Sequence, residues 1–240
     1  MKTIILLACI LMQSCNSQTK KNVEDKKQEV EKHTPVAVPF DLVKLTLNEN
    51  INDILTAVNL SKKDTIIADF TTLLGNEKLV FGSDKVLIFN GEKLSGENGL
   101  GTNNVIFHYG KIDKEIGPLY NEKEDVVGMC QINLYSEKEI KNIIKELNSR
   151  FGKTLFEKTN EGNESDVVDN ELVETSTKFK NTVQIWEKNN IIYYSFMDQT
   201  FTEKNIENSL KLFMFNKNDK NWASFISGKG FLFTEKIYNK

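Results

Sequence analysis

The sequence predicts an α+β fold in which two amphipathic helices pack on antiparallel sheet. Three observations carry this reading. Around residues 51–58 and 140–151, apolar side chains recur at the helical period. Between and after these stretches lie short β-branched and aromatic runs divided by Gly, Asn and Asp, which is the pattern of hairpins and not of parallel β-α-β units. One apolar spacing also recurs: Leu45, Ile51, Ile54, Leu55 and Val58 match Leu134, Ile140, Ile143, Ile144 and Leu147 at an offset of 89 residues. That recurrence suggests a tandem repeat of helix plus small sheet, with halves 40–125 and 126–240. Two unrelated amphipathic helices sharing a spacing by chance is the alternative.

The folded body is expected to begin near Phe40, after Pro35 and Pro39. The first helix is predicted over 48–60, with Asn48 or Asn50 as its N-cap. Strand-like runs follow at 65–72, 78–81, 85–89 and 104–109, and Gly82-Ser83-Asp84 is expected to turn the second into the third. A further strand is expected over 126–134. Next, Ser136 and Glu139 form the S-x-x-E pattern of a capping box. Ile140, Ile143, Ile144, Leu147 and Phe151 then line one helical face, and Gly152 stands where a left-handed C′ residue is wanted. After this second helix, strands are expected at 154–158, 182–187, 191–197, 210–215 and 222–226, with an edge at 230–233. Lys188-Asn189-Asn190 is the expected turn of the hairpin formed by 182–187 and 191–197.

The N-terminus adds a different kind of signal. It reads MKTIILLACILMQSC: one positive residue, Lys2, an unbroken apolar run of nine residues, then Gln13, Ser14 and Cys15. Nine residues are too few for a spanning helix, which needs roughly 20, but they suit the apolar core of a signal peptide. Residues 1–14 are therefore expected to be a signal peptide. The Ser14-Cys15 ending resembles the lipobox of bacterial lipoproteins, in a relaxed form similar to that of Bacteroidetes-like lipoproteins. The resemblance implies that Cys15 becomes a lipidated mature N-terminus anchored in a membrane, which more than one acyl chain can hold stably. It also implies an outer-membrane destination, since Asn16 stands where Asp would mark inner-membrane retention. An ordinary secretory leader cut nearby is the alternative. Residues 15–37 are polar, without an aromatic side chain, and read as the lipidated cysteine plus a disordered tether. A solvated helix through the same residues would serve equally as a spacer. Residues 38–240 form the expected globular domain.

The order of elements in the body resembles the beta-lactamase-inhibitor-protein-like fold, also seen in small outer-membrane assembly lipoproteins. This implies a tandem α+β arrangement and transfers no functional residue, because fold alone does not give function.

Composition narrows the function classes. The chain carries a formal charge of −3, and loss of Lys2 with the leader makes it −4. Neither value offers the basic face that a nucleic-acid partner needs. Of three cysteines, Cys9 leaves with the leader, Cys15 takes lipid and Cys130 remains alone, so no disulfide is expected. The two histidines are weak candidates for a general base: His33 falls in the tether, and His108 sits in the strand-like VIFHYG run. Cys130 lies in an apolar stretch without basic neighbours to lower its pKa. No catalytic residue, metal ligand set or cofactor is therefore assigned.

Glu161, Glu164, Asp166, Asp169 and Glu171 cluster in one stretch, but Gly162 is too early for a calcium loop, so a solvated acidic loop is expected. The glycines Gly96, Gly99 and Gly101 lack phosphate-loop spacing and read as a strand connection. Asp64-Thr65-Ile66 resembles the sequon for O-linked sugars of Bacteroidetes-like periplasms. Trp186 with Tyr193, and Phe213 with Phe215, are the candidate partner-binding residues, placed on strand faces opposite the helices. Burial between packed layers is the competing reading. The function expected is that of a lipid-anchored envelope protein binding a protein or envelope component without catalysis. A carboxylate-based envelope hydrolase and an inhibitor or immunity lipoprotein are the alternatives.

Overall fold

The computed structural model describes residues 40–67, 77–109, 125–219 and 226. All of these lie in the unit Ala37–Lys240. The leader, Cys15, the tether with His33, residues 68–72 and 222–225, and the expected edge at 230–233 lie outside the described residues.

In chain order the elements are α1 (Ile51–Ala57), β1 (Glu77–Phe81), β2 (Ile88–Phe89), β3 (Glu92–Lys93), β4 (Glu97–Asn98), β5 (Gly101–Thr102), β6 (Asn104–Tyr109), β7 (Val127–Leu134), α2 (Glu137–Phe151), β8 (Phe156–Val168), β9 (Glu171–Lys188), β10 (Ile191–Phe201) and β11 (Ile206–Asn216). Seven strands form one sheet in the order β1-β6-β7-β11-β10-β9-β8, every pairing antiparallel. The fold is α+β and dominated by this sheet. It shows no clear tandem repeat: α1 has 7 residues and α2 has 15, and among the described residues the small β2–β3 and β4–β5 ribbons have no counterpart after α2.

Strand periodicity explains the two cores. Alternate side chains point to opposite faces, so cross-strand partners form rungs. One rung runs Trp186, Tyr193, Met214, Cys130, Phe107, Leu79 across six strands. All six are at most 3% exposed and belong to the core that α1 and α2 close. On the other face Met129, Ile185, Ile192, Tyr194, Phe213 and Phe215 form a second core with Ile226. Ile226 is helical and fully buried, so the strand expected over 222–226 does not include it.

Helix α2 lies across β7, β9 and β11. Ile140, Ile143 and Leu147 are buried, while Ile144 is only half-buried at the edge of the stripe. Ser136 is the N-cap and Gly152 the C-cap at φ 73°. The expected capping box is absent: the Ser136 hydroxyl instead accepts Asn103 Nδ2 at 2.7 Å. Asn103 is fully buried and makes three further bonds. Its Nδ2 donates to the Leu94 carbonyl at 2.7 Å, and its Oδ1 accepts the Tyr135 and Ser136 N–H groups at 2.7 and 3.4 Å. The start of α2 is thus held by a side chain from the β5–β6 junction. The same junction explains Gly96, where a Cβ would meet Ser136 Oγ at 2.7 Å.

Other differences from expectation have local causes. Helix α1 has Asn50 as its N-cap, with Oδ1 accepting Asn52 N–H at 2.8 Å, and it ends before Asn59, whose φ is 52°. Residues 65–67 form no strand. The Thr65 hydroxyl is bonded to the Val80 carbonyl and N–H at 3.1 Å each, so the oxygen that a sugar would need is engaged. Gly82-Ser83-Asp84 closes no hairpin, because β1 pairs with β6. The hairpin forms one step later, β2 with β3, across Asn90-Gly91 at φ 53° and 80°, the two positive values that a type I′ turn demands.

The acidic stretch is also not a loop. It forms most of β8 and the β8–β9 turn, Asp169-Asn170, at φ 52° and 67°. Its carboxylates are spread along an open ladder, and among the described residues no group of His, Cys, Asp and Glu is placed to hold a metal ion.

Candidate functional site

Several segments meet at the end of the sheet where β9 turns into β10. Asp41 begins the construction. Its carboxylate accepts the N–H groups of Val43, Asn90 and Gly91 at 3.1, 2.8 and 2.9 Å, tying the chain before α1 to the β2–β3 turn. Asn90 then bridges to α2: its Nδ2 donates to Glu146 and its Oδ1 accepts from Arg150. Arg150 and Phe151 come from the last turn of α2, where a cation also meets the negative end of the helix dipole. The β9–β10 turn, Asn189-Asn190, supplies the opposite wall, and the Asn190 carbonyl accepts Lys217 N–H at 2.8 Å.

Between these walls lies a cleft of about 660 Å³. This is within the ~300–1,000 Å³ range of ligand sites. Leu45, Phe151, Ile191 and Tyr193 form its floor, and Lys44, Arg150 and Lys188 its rim. No carboxylate lines it. Among the described residues, no Asp or Glu forms an ion pair with any of the three cations. The Tyr193 ring is 4.4 Å from Phe151, centroid to centroid, and meets Phe89 edge-on at 6.5 Å. Burial pushes the Tyr193 phenol up to about 12, against the pull of the Arg150 charge, so it stays protonated. Chemically the cleft offers a rigid apolar floor, one planar guanidinium with a fork of donors and two flexible ammonium groups. That set suits an anion with a flat or apolar body.

The sequence-based candidates fall elsewhere. Trp186 and Tyr193 do face each other across β9 and β10, but on the helix side and buried at 0% and 3% exposure. Trp186 Nε1 donates to Asn148 of α2 at 3.3 Å. Phe213 and Phe215 lie on the opposite face and are equally buried, in the second core. The four rings therefore form no exposed aromatic surface on either sheet face: they are core side chains, and Tyr193 alone reaches a cavity. His108 is buried on β6, opposite Met129. Cys130 is a free thiol in the first core, and burial drives its pKa far above the ordinary thiol value.

Only Tyr193 among the candidates touches the cleft. The residues that build it come from four separate segments, which a linear reading does not join. One signal was available: Arg150 is the only arginine in a chain of 31 basic residues.

No family model matches the chain, and neither a curated protein nor a solved structure matches it.

Proposed function

We propose that this protein is a lipid-anchored cell-envelope binding module that takes an anionic group into the Lys44–Arg150–Lys188 cleft. The observation that carries the binding part is the composition of that cleft: three cations on the rim, no carboxylate, and a floor of packed aromatic and aliphatic side chains. Three unpaired cations held near one another repel, and an incoming carboxylate or phosphate relieves that repulsion while using the Arg150 fork bidentately. The membrane part is supported by the leader ending in Ser14-Cys15, with lipid on Cys15 and an outer-membrane location. The 89-residue recurrence supports a tandem repeat of helix plus small sheet, the finer part of the fold reading.

Two measurements test this reading. Calorimetric titration of the full chain with inorganic phosphate and with succinate should show saturable binding that weakens with salt and with Lys44→Ala plus Lys188→Ala. Absence of binding by both probes, or binding indifferent to the double variant, overturns the cleft assignment. Mass spectrometry of the mature N-terminus should show an acylated Cys15. An unmodified N-terminus would remove the anchor and leave the cleft assignment to stand on its own.

A further inference from the structure

The hairpin of β8 and β9 continues beyond the packed body as an arm. From Glu161 to Glu174 the arm carries six carboxylates and no Lys or Arg. At its tip, strand pairing places Val167 opposite Leu172 on one face, 70% and 77% exposed, with Val168 and Val173 on the other face at 52% and 47%. An apolar cluster held this far into solvent, rimmed by polar groups of one charge sign, is the signature of a contact surface. The cleft at the other end of the sheet is its complement in both respects, apolar beneath and cationic around.

We propose that the arm tip of one copy docks in the Lys44–Arg150–Lys188 cleft of a second copy, so that the protein associates head to tail. This rests on the reading of the cleft as an anion site and names its partner. Strand β9 runs 18 residues from the tip at Glu171 to the cleft at Lys188, roughly 60 Å at ~3.4 Å per residue. An extended strand of that length keeps a tip out of its own cleft, so the contact forms between copies. The two surfaces are different patches, which makes the interface heterologous and able to grow. Opposite charges at the rim make it sensitive to salt.

The test uses sedimentation velocity on the full chain in a neutral detergent. The parent should show mass rising with concentration and falling with salt. A tip variant, Val167→Lys with Leu172→Lys, and a cleft variant, Lys44→Glu with Lys188→Glu, change exposed side chains and should fold as the parent does, checked by circular dichroism. Each alone should associate about 10-fold or more weakly. Mixed together, the intact cleft of one and the intact tip of the other should restore a complex that stops at one copy of each. A parent that stays monomeric, variants that associate as the parent does, or a mixture that forms no complex overturns the proposal. Phosphate binding to the parent separates the two levels: binding with no self-association leaves the anion site standing, whereas loss of both removes the site as well.

Discussion

Strand β9 belongs to two different environments. From Thr182 to Trp186 it runs through both cores: Val183 and Ile185 face one, Trp186 the other, and all three are buried. From Glu171 to Glu174, on the same strand and paired with β8 beyond a register shift between Asn163 and Ser165, every residue is exposed. Hydrogen bonding to the partner strand persists at both ends, so the ladder alone does not distinguish them. Side-chain burial does, at about 25 cal/mol per Å² of apolar surface removed from water. The body end is held by what its rungs bury. The arm is held by its turn at Asp169-Asn170 and by cross-strand pairs such as Lys180 with Glu161, at 2.9 Å, each worth about 1 kcal/mol or less. The Phe179 ring, lying 3.0 Å from where a Cβ on Gly162 would sit, covers the glycine near the place where the two regimes meet.

The largest expected effect lies at the body end. Trp186→Ala removes a rung member and the bond to Asn148, and should cost about 3–5 kcal/mol in denaturant unfolding. A loss under about 1 kcal/mol would erase the distinction between the two ends. Asn103→Ala comes next. It strands the half-buried Tyr135 N–H and the buried Leu94 carbonyl and should cost about 1–3 kcal/mol. An unchanged midpoint would mean that the start of α2 is held by Ser136 after all.

Acid response sharpens the comparison in another way. The arm carries most of one carboxylate cluster, yet the half-buried carboxylate whose bonds hold its pKa down is Glu49, in the body just before α1. Burial opposes its ionisation, but the Thr46 N–H, the Thr46 hydroxyl and the Asn48 N–H at 2.7, 2.8 and 3.1 Å outweigh burial and hold it below its ordinary 4.5. A lowered carboxylate pKa contributes stability above about 4.5 that is lost as pH falls through the folded-state value. Glu49→Gln should therefore flatten the acid limb of the stability curve. A limb as steep as the parent's would place the acid-sensitive group elsewhere.

The smallest effect belongs to the tip. Leu172→Ser should change stability by within about ±0.5 kcal/mol despite removing a large apolar side chain. Amide exchange should run the same way along β9, fast near Leu172 and slow near Ile185. Matching protection at the two positions would show that the arm unfolds only with the body.

Much of this architecture was legible where one physical signal dominated. The α2 stripe, the Gly152 stop and the β7, β10 and β11 positions follow from apolar periodicity, and the Asn50 cap from its side-chain oxygen. The arm was not legible because strand formation there leaves no apolar alternation: EGNESDVVDNE reads as a solvated loop, and only the Asp169-Asn170 turn, with both residues at positive φ, brings its two sides into register. The Asn90-Gly91 pair is a stronger hairpin signal than Gly82-Ser83-Asp84, and weighing it first would have placed β2 and β3 correctly. Trp186 and Tyr193 look like a surface in sequence because sequence shows which side of a strand a residue takes but not which side is covered. The cleft depends on Lys44, Arg150 and Lys188 converging from separate elements, which no local pattern encodes; the lone arginine was its one trace.

The Asn90-Gly91 turn also bears on how this chain ages. An Asn-Gly pair is the dipeptide most prone to spontaneous deamidation, in which the glycine amide nitrogen attacks the asparagine side-chain carbon to close a succinimide. Here that nitrogen's N–H is held at 2.9 Å by Asp41, and the Asn90 amide is gripped on both sides by Glu146 and Arg150. The folded protein thus shields one of its two Asn-Gly peptides with the same contacts that shape the cleft, while both residues of the other, Asn98-Gly99, are exposed. Conversion at residue 90 would accordingly record time spent unfolded, a chemical clock written into the turn.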